Sequence, residues 1–141
     1  MRTIEIEKVK ETVEQLIDSN KELLNTIEFV IGMSRGGLIP AVMVATKLNV
    51  PLVTIYIDKK DNIYLDRVEW IKDRRCLLVD DICRTGNTIK LSVDKIMEDA
   101  CPESIFTMTL FDVSSFSKKS KPDLSCEIDQ DVCLPWDFDR K

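Results

Sequence analysis

Two adjacent acids, Asp80 and Asp81, close an apolar run, and after Ile82 and Cys83 the chain reads Arg84-Thr85-Gly86-Asn87-Thr88. Carboxylates only accept hydrogen bonds, so the acids suit ribose hydroxyls, a Mg²⁺ ion or a positive charge developing on a sugar. The following turn offers the opposite chemistry. It joins two hydroxyls and a turn-tolerant glycine to a helix start whose first N–H groups lack partners, which describes a phosphate cup. Asn87 or Thr88 can equally serve as a plain helix N-cap. A Walker loop is excluded, because G-x-x-x-x-G-K-[ST] is missing. A second glycine turn, 32-GMSRGG-37, adds the permanent cation Arg35 and suits another anion. Two anion cups with acids between them describe one ligand, a sugar carrying phosphate at both ends.

The rest of the inventory removes other chemistries. The chain contains no histidine, which excludes imidazole bases, Ser-His-Asp and Cys-His nucleophiles, and imidazole metal ligands. Its five cysteines, at 76, 83, 101, 126 and 133, form no Cys-x-x-Cys pair and read as reduced thiols of a cytosolic core. A net charge of −5 gives no basic stripe for a phosphate backbone, so no nucleic-acid partner is expected. The N-terminal MRTIEIEKVKETVEQ has no apolar signal region, and no run approaches the roughly 20 residues that span a bilayer. A cytoplasmic chain with no membrane partner is the expectation.

Positioning those loops requires strands that end in them. IEFVIGM (27–33), PLVTIYI (51–57), RCLLVDD (75–81) and SIFTMTLFDV (104–113) read as buried strands. Residues 7–25 carry Val9, Val13, Leu16, Ile17, Leu23 and Leu24 at helical spacing, and 40–49 and 87–100 repeat such a pattern. Strands alternating with helices imply an α/β fold: a doubly wound, mainly parallel sheet flanked by helices, with ligands at the carboxyl ends of the strands. Residues 59–73 read as a loop or short hairpin. The 115–141 tail reads as polar and irregular, with Leu134, Pro135 and Trp136 as a small apolar packing anchor. With 141 residues, 32% of them charged and 44% apolar, a single domain is expected, its core at about 1–113 and a C-terminal hood segment at about 114–141.

LLVDDICRTGNT resembles the PRPP signature of type I phosphoribosyltransferases, and VIGMSRGGLIPAVMVATKLNVPLV is similar to the pyrophosphate loop, helix and strand of their xanthine–guanine and hypoxanthine branch. KPD (121–123) and PWD (135–137) resemble that branch's closing segment. The likeness runs from about residue 27 to 137. It implies the type I phosphoribosyltransferase fold and Mg²⁺-dependent transfer of the 5-phosphoribosyl group from PRPP to a nucleobase, above all a 6-oxopurine, with release of pyrophosphate. It also implies a dimer or tetramer. By likeness, Arg84, Thr85, Gly86, Asn87 and Thr88 cup the 5′-phosphate, and Asp80 and Asp81 face ribose and metal. Ser34, Arg35 and Gly36 hold pyrophosphate in a loop that often contains a non-proline cis peptide. Tyr56, Asp58, Lys59 and Lys60 fall at the family's mobile lid, although a short solvated hairpin fits them as well.

Three positions depart from the branch. Its acid before Thr-Gly, which handles a purine proton, is replaced by Arg84, and an arginine is no base. Its lysine after the LFDV strand is replaced by Asp112 or Val113, with lysines only at 118, 119 and 121. Where it stacks an aromatic ring on the base, this chain has Val132, Cys133 and Leu134. A PRPP- or nucleotide-binding regulator of the same fold would keep both anion cups without the base chemistry.

Overall fold

The computed structural model describes residues 1–138. In chain order it contains β1 (Arg2–Thr3), α1 (Ile6–Ser19), α2 (Lys21–Leu24), β2 (Phe29–Ser34), α3 (Leu38–Leu48), β3 (Leu52–Ile57) and β4 (Ile63–Leu65). Next come α4 (Val68–Ile71), β5 (Arg75–Cys83), α5 (Asn87–Ala100), β6 (Ser104–Val113), β7 (Leu124–Ile128) and β8 (Val132–Cys133). Six strands form one sheet in the order β4-β3-β2-β5-β6-β7, parallel throughout except for the β3–β4 hairpin. β1 and β8 pair separately and in parallel, tying the two ends of the chain together.

The expected doubly wound architecture follows from strands buried on both faces. Cys76 to Val79 of β5 are all inaccessible, and their side chains alternate between two cores. Leu77 and Val79 join Val9, Val13 and Leu16 of α1 and Ala41 and Val44 of α3. Cys76 and Leu78 join Ile71 of α4 and Ile96 and Ala100 of α5. Each large apolar side chain so buried contributes about 1.5–3 kcal/mol, so β5 is anchored from above and below. The two acids therefore directly follow the firmly held part of this strand.

Two expectations change, and the loop or short hairpin expected over 59–73 is a hairpin with a helix added. The helix expected over 7–25 breaks at Asn20, whose backbone leaves the helical region (φ −132°, ψ 31°) while its side-chain amide donates to the Leu16 carbonyl at 2.8 Å. The polar stretch 59–73 contains the return strand of a hairpin and the short helix α4, anchored by fully buried Ile71. The tail is not irregular: Leu124–Ile128 adds a parallel edge strand to the main sheet beside β6. Its apolar alternation, Leu124, Cys126, Ile128, is short, and flanking charges dilute the signal.

Candidate active site

β5 delivers the acids into a crowded junction. Its neighbour β2 pairs up to Gly32↔Val79, and β6 pairs with it out to Cys83↔Asp112, so the β2 and β5 ends open side by side. Asp80 Oδ1 accepts the Asp81 amide at 2.8 Å, and Asp81 Oδ1 accepts the Ile82 amide at 2.8 Å. Burial, reinforced by the charge of Asp81, pushes the Asp80 carboxyl well above the usual carboxylate range. The β2 turn presses on the same point. A Cβ added at Gly36 would lie 2.2 Å from Asp81 Oδ2, so only glycine lets that turn reach the acids. The Ser34–Arg35 peptide that leads into it is cis.

Beyond the acids the chain folds into the expected turn. Gly86 adopts φ +81° immediately before α5, a left-handed conformation that L side chains rarely take. A Cβ there would meet the Ser120 carbonyl at 1.9 Å. Thr85 Oγ1 accepts the Asn87 amide at 3.3 Å, and the Lys90 amide donates to the Gly86 carbonyl at 3.0 Å. Residues 82–89 and Asp80 enclose a cavity of about 190 Å³ in front of the first turn of α5. Unpaired helix N–H groups face a concave turn there, a geometry that receives a phosphate.

Arg84 is placed differently from its neighbours. Its main chain belongs to the turn, but its Nε donates to both oxygens of Asp131, at 3.2 and 3.0 Å, linking the turn to the segment before β8. Its Nη2 is buried with no hydrogen-bond partner among the described residues. Lys118 folds back beneath the same turn. Its amine donates to the carbonyls of Arg84 and Val113 and pairs with buried Asp112 at 2.9 Å. The Lys119 amide donates to the Thr85 carbonyl at 2.6 Å, so residues 118–120 brace residues 84–86 one for one.

A family profile for the phosphoribosyl transferase domain matches residues 3–140. The chain belongs to the phosphoribosyltransferase family. It is similar to the adenine phosphoribosyltransferase of Campylobacter jejuni, with 30% identity over 136 residues, covering 73% of this chain and 75% of that protein. The purine phosphoribosyltransferase of Pyrococcus horikoshii superposes with a TM-score of 0.84 at 25% identity, covering 96% of this chain and 92% of that one. The xanthine-guanine-hypoxanthine phosphoribosyltransferase of Helicobacter pylori shares the fold, with a TM-score of 0.82 at 17% identity over 98% and 94% of the two chains. The chain is thus an enzyme of this family, with the mostly parallel type I phosphoribosyltransferase sheet.

Other expected site residues of this phosphoribosyltransferase distribute unevenly. Ser34 ends β2 and Arg35 stands exposed beside it. Tyr56 lies on β3 and stacks on Tyr64 at 6.3 Å. Asp58 organises the hairpin: it accepts the Lys60 amide at 2.8 Å, the Asn62 amide at 2.9 Å and the Tyr64 hydroxyl at 3.3 Å. Desolvation opposes ionisation of Asp58, yet these donors outweigh it and hold the carboxyl below its ordinary range. Residues 56–60 lie in the β3–β4 hairpin. Val132, Cys133 and Leu134, expected as base contacts, are largely buried. They are 1%, 8% and 2% exposed and engaged in β8 and the core, and Cys133 and Leu134 border a cavity whose lining includes neither Asp80 nor Asp81.

Three contacts at this site escaped the sequence: Asp131 on Arg84, Lys118 beneath the turn, and the Trp136 indole on Asp81 Oδ2 at 2.9 Å. Trp136 is therefore more than a packing anchor. For Lys118 the only available signal was a lysine cluster after a strand ending in a buried acid. The donor set also fits a hard divalent cation. Among the described residues no cluster of three or more metal-ligating side chains exists, and Mg²⁺ characteristically takes one or two carboxylates with substrate oxygens and water. Asp80, whose ionised form a cation would stabilise, and Asp81 meet that requirement. No described helix is long and apolar enough to cross a membrane.

Proposed function

We propose that this phosphoribosyltransferase moves the 5-phosphoribosyl group of PRPP onto a 6-oxopurine, hypoxanthine, guanine or xanthine, releasing pyrophosphate. Thr85, Gly86, Asn87 and Thr88 receive the 5′-phosphate, while Ser34, Arg35 and Gly36 receive the pyrophosphate across the acids. Asp80 and Asp81 face the ribose hydroxyls and hold Mg²⁺, which supplies charge neutralisation for the departing pyrophosphate. As the bond to pyrophosphate stretches, positive charge develops on the sugar, and the two carboxylates lie where they stabilise it. Alignment of ribose between two fixed anion sites provides the remainder, and no nucleophilic side chain is needed.

The observation that favours an oxo group is Arg84 Nη2, a buried donor with no partner among the described residues. A buried N–H left unpaired costs roughly 1–3 kcal/mol, which an oxo group at the 6-position of the base would recover and an amino group at that position would not. The test is nucleotide formation from PRPP with hypoxanthine, guanine, xanthine, adenine, uracil and orotate. Turnover is expected with the three oxopurines, and Arg84→Met should raise KM for the base about tenfold while leaving KM for PRPP nearly unchanged. Turnover confined to adenine would overturn the oxopurine assignment. The same reading carries a cytoplasmic, homo-oligomeric enzyme with no nucleic-acid partner.

A further inference from the structure

The closing segment touches the acids through one side chain. Trp136 Nε1 donates to Asp81 Oδ2 at 2.9 Å, and Asp81 Oδ1 accepts the Ile82 amide at 2.8 Å. Both oxygens of Asp81 thus have a fixed donor, one from its own strand and one from a residue 55 positions away in the chain. The indole has room because Gly36 has no side chain: a Cβ there would lie 3.0 Å from Trp136 Nε1 as well as against Asp81. The turn that aims the ring is itself fixed. The Leu134 amide donates to Asp137 Oδ2 at 2.9 Å, and the Asp137 amide donates to the Leu134 carbonyl at 2.9 Å. Packing of the ring against the core explains an aromatic residue at 136. Only the N–H explains tryptophan in place of phenylalanine.

We propose that Trp136 is a positioning residue for Asp81. Through its indole N–H, the 135–137 turn fixes the plane of the carboxylate that faces ribose and cation, so the closing segment and the Gly36 turn together set how Mg²⁺·PRPP is held. This rests on the assignment of Asp81 to ribose and metal. A charge-assisted bond from a rigid donor removes rotational freedom that the carboxylate would otherwise lose when the ligand binds.

The chain has two tryptophans, and Trp70 lies on α4 with its ring against Arg67, so Trp70→Phe leaves Trp136 as the sole indole emitter. In that background, Asp81→Asn shifts the emission of the ligand-free protein, and Mg²⁺·PRPP added to the Trp70→Phe parent changes emission saturably. In the otherwise native chain, Trp136→Phe weakens Mg²⁺·PRPP binding about tenfold by calorimetry with melting temperature little changed. Unaltered or tighter binding by folded Trp136→Phe overturns the proposal, as does an emission that ignores Asp81→Asn. Should Trp136→Phe fail to fold, the Asp81→Asn emission shift decides alone. If the native chain binds no Mg²⁺·PRPP, the PRPP assignment itself fails, while the ligand-free shift still reports whether the indole holds Asp81.

Discussion

At the residue scale the site is governed by charges placed where the fold makes them costly. Asp80 is the clearest case. Because burial and Asp81 raise its folded pKa, the folded chain holds that proton more tightly than the unfolded chain. Stability from this group is therefore greatest at low pH and falls as pH rises from the ordinary carboxylate range through the raised folded value. Asn at position 80 can still accept the Asp81 amide without carrying charge. In metal-free buffer at pH 7, Asp80→Asn is predicted to melt a few degrees higher, roughly 2–5 °C, with the gain shrinking toward about pH 4. The same substitution is expected to abolish pyrophosphate release, and an unchanged or lower melting point would contradict this view of Asp80. Gly86 gives the converse case. Gly86→Ala places a Cβ against the Ser120 carbonyl at a left-handed position, so both stability and PRPP affinity should fall, by at least about 1–2 kcal/mol in a denaturant melt.

At the element scale, the strap between β6 and β7 holds the 84–88 turn in shape. Lys118 saturates the Arg84 carbonyl and neutralises Asp112, which is only 4% exposed. Removing one partner of a buried ion pair leaves the other charge uncompensated, at a cost of about 3–5 kcal/mol. Lys118→Met is predicted to lose that much by chemical denaturation. Adding Asp112→Val should restore most of the stability, yet KM for PRPP should remain raised, because the Arg84 carbonyl still lacks its donor. Full recovery of KM in the double variant would show that the strap acts through Asp112 alone. Such bracing was not legible in the sequence, since nothing in SFSKKSKPD marks which lysine folds back. The strand–turn–helix units around Gly36 and Gly86 were legible. Their apolar runs exceed any competing pattern, and glycine followed by a helical period has few other solutions.

At the scale of the whole molecule, the sheet brings together what the chain separates. β2 and β5 are neighbours, so the turns at 34–37 and 84–88 open side by side; alternating strands and right-handed crossovers imply the doubly wound sheet, and the structure supplies the strand order. The two glycine turns were readable from one-dimensional spacing. The contacts that brace them were not. Asp131, Lys118 and Trp136 arrive from a tail with short, diluted alternation and meet Arg84 and Asp81 only through β7 and the β1–β8 pairing. Val132, Cys133 and Leu134, expected as base contacts, are buried in and beside β8, a placement the short apolar run did not reveal. The proposed reaction requires the two glycine turns and the acids to work on one ligand. The most direct measurement is pyrophosphate release from PRPP by the native chain with hypoxanthine, in Mg²⁺ and in excess EDTA. Release that requires both base and Mg²⁺ is the predicted result, and PRPP that binds but yields no pyrophosphate with any base would contradict it.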